Sequence, residues 1–215
     1  MATDAFTDTD GTELSSHDSN WVKESTGSSA NVETRNNQAQ TDGLEISSIS
    51  TAYYYNQTFA AAHYAKVTLI TQGLGGAAGP GVRFQASAHS FFYCFFNEDG
   101  NVYNGEVVTG SYTDWDGGQS TVPGANDTYS LEVDGSTTTT IYYKVNGSTV
   151  ATYTGKNALT AGFPGICYFL TFGSGDGFRL DDWEGADVAG GGSKVLPHDK
   201  QAGKHGGGKR GGKQL

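Results

Sequence analysis

Hydrophobic positions recur along this chain in short runs with a period of two, and no run of ten residues keeps a period near 3.6. Tyr64–Thr71 is the clearest case. Ala65, Val67, Leu69 and Thr71 alternate with Tyr64, Lys66, Thr68 and Ile70, which suits a sheet with one buried face. Similar runs predict strands at Trp21–Ser25, Tyr53–Phe59, Val82–Ala88, Phe91–Phe96, Val102–Val108, Tyr129–Val133, Thr140–Val145, Thr149–Thr154, Ile166–Phe172 and Phe178–Trp183. Residues 26–43 are polar and read as loops with one short strand near Val32; Gly73–Gly81 reads as a glycine-rich loop. Asn97–Asn101 supplies a turn. Asn146-Gly147 predicts a type I′ hairpin, because both central positions need positive φ. About twelve strands over residues 1–188 predict an all-β, two-sheet antiparallel sandwich. Strand should exceed about 40% of the chain and helix should stay below about 10%.

Composition narrows this further. Glycine is 32 of 215 residues, twice the usual share of about 7%, but without a G-X-Y period, so collagen is excluded. Twelve Tyr, 11 Phe and 3 Trp supply bulky surface to bury, which excludes disorder throughout. No stretch approaches the roughly 18 apolar residues that span a bilayer, so no membrane partner is expected. The acidic start, Met1-Ala-Thr-Asp-Ala-Phe-Thr-Asp, lacks a secretory signal. It predicts synthesis in a cytoplasm, with lysis or assembly as the route out. Cys94 and Cys167 are too few for a disulfide framework or a Cys-based zinc site; they are either buried free thiols or one disulfide.

The net charge of −10 hides an asymmetry. Residues 189–215 hold Lys194, Lys200, Lys204, Lys209, Arg210 and Lys213 against Asp199 alone, a charge of +5, and nine of these 27 residues are Gly. The preceding 188 residues hold 22 acidic and 7 basic side chains, a charge of −15. A sandwich domain over 1–188 and a flexible Gly/Lys-rich C-terminal arm over 189–215 follow from that split. The arm is either a solubilising or engineered linker, or a segment that orders on an acidic surface of a larger assembly. The acidic body disfavours nucleic acid as its partner.

Asp4-Ala5-Phe6, Asp10-Gly11-Thr12, Leu14, His17 and Trp21 resemble the opening strand of concanavalin A-like (laminin-G-like) jelly rolls. The close of the chain is similar to the same group, in Leu159–Ile166 and Leu180-Asp181-Asp182-Trp183-Glu184-Gly185. So are Tyr129–Gly135 and Tyr143–Ser148 between them, and the likeness spans residues 4–188. It implies a jelly-roll sandwich with first and last strands side by side, residues 178–188 near residues 4–14. Such domains occur in bacteriophage particle proteins and secreted bacterial proteins, where they bind carbohydrate or serve as structural appendages.

Phe6, Trp21, Phe178 and Trp183 read most simply as core, His17 as a hydrogen-bonding structural histidine, and Asp181-Asp182 as turn-capping carboxylates. Jelly-roll glucanases carry Glu-x-Asp-x-x-Glu on one strand. Here Glu132-Val133-Asp134 starts that pattern and Thr137 breaks it, so no catalytic residue and no hydrolysis are expected. No cofactor or metal is expected; Asp8 and Asp10 read as a solvated acidic turn rather than a Ca²⁺ site. Candidate aromatic platforms for carbohydrate or partner contact are Tyr53, Tyr54 and Tyr55, with Tyr112 and Trp115, because sugar C–H faces stack on rings. Trp115 lies in a Gly/Asp-rich loop where core burial looks difficult. These features predict a non-enzymatic virion structural or decoration protein, present in multiple copies or as a homo-oligomer, docking on other particle proteins through its basic arm. The alternatives are a lectin-like adhesion module, on a fibre or a bacterial cell surface, and a glycoside hydrolase-related enzyme. The sequons at Asn56, Asn126 and Asn146 read as chance in a Thr/Asn-rich chain.

Overall fold

The structure, a computed structural model, describes residues 1–24, 30–42, 51–71, 76–119, 123–135, 138–156, 158–170 and 177–189. The basic residues of the arm, from Lys194 onward, lie outside the described residues, as does Thr137. The elements in chain order are β1 (Ala2–Asp4), β2 (Thr12–Glu13), α1 (Leu14–His17), β3 (Trp21–Lys23), β4 (Val32–Arg35), β5 (Gln38–Thr41), β6 (Thr51–Tyr55), β7 (His63–Thr71) and β8 (Gly76–Phe84). They continue with β9 (Phe91–Asn97), β10 (Val102–Val108), β11 (Ser111–Asp114), β12 (Thr128–Val133), β13 (Thr140–Val145), β14 (Ser148–Thr154), β15 (Phe163–Leu170) and β16 (Arg179–Asp187). About 60% of the described residues are in strands, and the one helix among them has four residues.

Every pairing is antiparallel and the strands form two sheets. One runs β14-β13-β12-β7-β16-β5-β4-β2 with β1 on β16; the other runs β11-β10-β9-β8-β15-β6-β3. The first and last strands do lie side by side, with Ala2 opposite Gly185 and Asp4 opposite Trp183. Asn146 and Gly147 have φ of 49° and 78°, the positive pair that the β13–β14 hairpin needs.

One residue in two from each sheet faces the space between them. Val67, Leu69, Leu131, Tyr129, Phe92, Cys94, Phe96, Ile166 and Tyr168 meet there. Trp21 and Trp183 are both buried, with ring centroids 4.7 Å apart, and Phe6 and Phe178 are buried too. Each such ring removes roughly 150–250 Å² from water, worth at most about 4–6 kcal/mol at about 25 cal/mol per Å². Cys94 and Cys167 are free thiols, and burial pushes both well up from the usual thiol range.

Three expectations need correcting. Gly76–Gly81 is not a loop but the first part of β8, buried along its whole length. Its small residues admit neighbouring rings: a Cβ on Gly81 would sit 2.6 Å from the Phe84 ring. The strand expected over Val82–Ala88 ends at Phe84, after Arg83 with φ of 57°. The polar 26–43 segment carries two strands, β4 and β5, joined through Asn36 and Asn37, both at positive φ. Asn tolerates that conformation, so a polar hairpin forms where hydrophobic alternation is faint.

Candidate functional site

The strand β9 reads Phe-Phe-Tyr-Cys-Phe-Phe-Asn, with large apolar groups in both phases. Phe92, Cys94 and Phe96 face the inter-sheet core. Phe91, Tyr93 and Phe95 therefore point to the other face of the seven-stranded sheet, where they cluster with Tyr54, Phe84, Val107 and Cys167. Rings on this outer face stack on one another: Tyr93 and Phe95 have centroids 4.3 Å apart at 22°, and Tyr54 and Phe163 are 5.0 Å apart at 25°. A sheet normally leaves one face polar; here the second face is aromatic too, and Phe84, Phe91, Tyr93 and Phe95 on it are already buried.

Toward the β11 edge this face opens into a cleft of about 410 Å³. Its lining is Ala77, Tyr93, Phe95, Asn97, Tyr103, Tyr112, Asp114 and Phe169, drawn from β8, β9, β10, β11 and β15. Tyr103, Tyr112 and Phe169 are half-buried and Asp114 is exposed, so rings and a carboxylate meet solvent together. Phe169 lies edge-on to Tyr112, with centroids 5.7 Å apart.

Gly105 makes this geometry possible. It pairs with Tyr93 on one side and with Asp114 on the other. A Cβ there would come within 2.4 Å of the Tyr93 hydroxyl and 2.3 Å of the Thr113 carbonyl. With no side chain in the way, the Tyr93 hydroxyl crosses β10 and donates to Asp114. Burial first, and then this hydrogen bond, push the Tyr93 phenol far up from its ordinary range. On the next wall the Tyr103 hydroxyl donates to Asp99 at 2.6 Å, which raises Tyr103. Burial acts to raise Asp99, but the hydrogen bonds from Tyr103 and Asn101 outweigh it and hold that carboxyl low. Gly105→Val should displace Tyr93 and cost about 1–3 kcal/mol, as overpacking usually does, read as a lower urea midpoint.

Behind Tyr112 lies a buried acid–histidine pair. His89 Nδ1 is 2.6 Å from Glu24 Oε2, and His89 Nε2 is 3.4 Å from the Tyr112 hydroxyl. The pair ties the β11 ring to residues following β3 at the far edge of the sheet.

Of the aromatic residues picked out by sequence, the cleft includes Tyr112. Tyr53 and Tyr55 are not platforms: both point into the core, and their hydroxyls donate to Glu13 (2.7 Å) and Asp18 (2.6 Å). Burial, then the Asp18 contact, push Tyr55 up to about 12. Tyr54 does face outward, but Phe163 and neighbouring groups leave it only 6% exposed. Trp115 is not in an open loop. It follows β11 directly and packs half-buried against Phe92 and Tyr153, with Lys156 over its ring at 4.6 Å. Asp114 lies inside the Tyr112-Thr113-Asp114-Trp115 run picked out by sequence, whereas Tyr93, Phe95, Tyr103, Phe169 and Asn97 are not among the sequence candidates. The two-phase aromatic run of β9 is the one local signal that pointed to them.

The remaining carboxylates serve local structure. Glu132 pairs with Lys144, and Asp134 accepts from the Thr140 amide. Asp8 and Asp10 accept from the amides of Thr9 and Asn36. Asp181 accepts from the Asp182 amide in the bulge of β16. Among the described residues, no group of three or more His, Cys, Asp and Glu side chains could hold a metal ion. His17 bridges Asp4 and Asp8 as a structural residue.

No family model matches the chain, and no curated protein matches it in sequence. Solved structures do share its architecture. The carbohydrate-binding module CBM66 from Bacillus subtilis superposes with a TM-score of 0.52 at 12% identity, covering 76% of this chain and 91% of that one. An endo-acting O-glycanase of the human gut microbiota, from work on mucin breakdown, gives 0.56 at 9% identity, over 87% and 99%. A native glycosidic hydrolase gives 0.51 at 14% identity, over 86% and 93%. The fold is thus the concanavalin A-like jelly roll that the sequence resembled.

Proposed function

We propose that this chain is a lectin-like, carbohydrate-binding jelly-roll module whose ligand lies in the aromatic cleft beside β11. One observation carries the reading: half-buried Tyr103, Tyr112 and Phe169 surround a cleft whose remaining polar groups are Asn97 and Asp114. Pyranose rings present C–H faces that stack on aromatic rings, while their hydroxyls bond to amides and carboxylates at the rim. Neighbours of the same fold that bind or act on carbohydrate support the same choice. The particle-docking expectation rested on the basic arm, which lies outside the described residues, so the cleft is the firmer basis.

The reading is binding without turnover. Glycoside hydrolysis by the usual routes needs a pair of carboxyl groups, about 5–5.5 Å apart for retention and about 6.5–9.5 Å for inversion. Among the described residues lining the cleft, Asp114 is the one carboxylate. Affinity electrophoresis against a panel of polysaccharides tests the proposal. A glycan that retards the chain should release no reducing ends, and Tyr112→Ala and Phe169→Ala should each weaken binding about tenfold with an unchanged circular dichroism spectrum. Binding that ignores both substitutions, or no binding to any glycan, would overturn it.

A further inference from the structure

We propose that the cleft selects glycans bearing protonated amines, de-N-acetylated hexosamine chains, over neutral and acidic ones. This rests on the glycan-binding reading and adds the charge of the ligand to it.

Among the described residues, the cations lie away from the cleft. The first 188 residues contain seven, and none lines the cleft. Lys66, Lys144 and Arg35 pair with Glu184, Glu132 and Glu33. Lys23 and Arg179 bond to Asn31 and Gln40. Arg83 is buried, its guanidinium donating to Thr139 and to the Leu159 and Ala61 carbonyls, and Lys156 covers Trp115. The segments outside the described residues and before residue 190 contain no Lys or Arg at all. Among the described residues, an acidic sugar entering the cleft therefore meets Asp114, with Asp99 behind Tyr103, and no Lys or Arg side chain in the lining. Like charges brought together in a partly dry site act as a strong bar against such a ligand.

The same groups suit an ammonium. Tyr93 and Tyr103 each donate their hydroxyl to a carboxylate, Asp114 and Asp99. A phenol that donates to an anion carries more electron density on its ring, which strengthens the attraction of that ring for a cation. A hexosamine amine seated over the half-buried Tyr103 ring lies in the field of Asp114 at the exposed rim, while its pyranose face stays against Tyr112 and Phe169. Acetylation removes the charge and keeps the ring, so the two forms of one oligosaccharide isolate the effect.

Calorimetric titration of the full chain, at about 0.15 M salt and mildly acidic pH, compares a chitosan oligosaccharide, the N-acetylated oligosaccharide of equal length and an oligogalacturonate. The amine form should bind at least about tenfold tighter than the acetylated form, and the uronate weakest. Asp114→Asn should bring the first two together, chiefly by weakening the amine form, whereas Glu132→Gln on the other sheet should preserve the ratio. Equal affinities, a preference for the uronate, or an amine preference that survives Asp114→Asn would overturn the proposal while Tyr112-dependent binding keeps the glycan reading. If no glycan of the broader panel binds, both fail together.

Discussion

Between pH 6.5 and 4 the folded chain should lose about 3 kcal/mol of stability as His63 is forced to accept a proton. His63 starts β7 and is fully buried. Its Nδ1 lies 2.8 Å from the Ala60 carbonyl and so carries the proton, while Nε2 accepts the Arg83 amide at 3.2 Å. Both nitrogens are used, and only the neutral ring fits: a second proton would set one N–H against another. Burial pulls the ring's pKa down to about 4, and the nearby Arg83 charge adds to the fall. The unfolded chain binds this proton from about pH 6.5 downward, and the native state binds it only near 4. The contribution is therefore complete above 6.5 and lost as pH falls through that window. His17 works in the opposite sense. Burial alone would lower it, but Asp4 and Asp8 more than reverse this and raise it, so its contribution is present below 6.5 and fades as pH rises. The carboxylates held low, such as Asp18 and Glu184, lose their contribution mainly below pH 4.5, nearly clear of the window. Urea midpoints measured from pH 7 to 4 should show the slope in the native chain. His63→Gln should be less stable at pH 7 but flat between 6.5 and 4. A flat native profile would mean that His63 titrates normally and that its two hydrogen bonds are not kept in solution.

The frame of the fold was legible because its signals are local. Period-two alternation in β7, the two positive-φ positions at Asn146-Gly147 and the bulky ends Trp21 and Trp183 each act within a few residues. β8 was not legible, because Gly76-Ala77-Ala78-Gly79-Pro80-Gly81 has turn composition, and its strand form depends on the close approach of the β9 backbone and of the Tyr129 and Phe84 rings. The cleft was hidden for a related reason. Its lining spans Ala77 to Phe169, and only the sheet order β11-β10-β9-β8-β15 brings those residues together. Tyr53-Tyr54-Tyr55 looked like a platform because it is dense in rings. It sits on an interior strand between β15 and β3, where alternate tyrosines must enter the core and satisfy their hydroxyls on Glu13 and Asp18.

Replacing Asp4 by Ala should cost about 3 kcal/mol, although Asp4 lies on a three-residue strand at the start of the chain. The carboxylate accepts three hydrogen bonds: Trp21 Nε1 at 2.6 Å, the Phe6 amide at 2.7 Å and His17 Nε2 at 2.9 Å. These join β1, α1 and β3, so one side chain links the segment paired to β16 with the opposite sheet. The indole N–H of Trp21 belongs to a residue 1% exposed, and without Asp4 it loses this acceptor. Leaving such a donor unpaired costs about 1–3 kcal/mol by itself, and hydrogen bonds to a charged group contribute about 1.5–3 kcal/mol each before partial replacement by water. Phe6 adds to the loss. Its φ of 48° is unfavourable for a side-chain-bearing residue, and the Asp4 contact to its amide helps hold it there. Asp4→Asn should recover about half, because the amide oxygen still accepts while the NH₂ that replaces the other oxygen cannot accept from the N–H it faces. The second readout is His17 itself, whose raised pKa owes most among its carboxylate partners to Asp4 and should fall in both variants when followed by NMR. A loss below about 1 kcal/mol with His17 unmoved would show that water replaces Asp4 and that β1 is held by its backbone pairing alone.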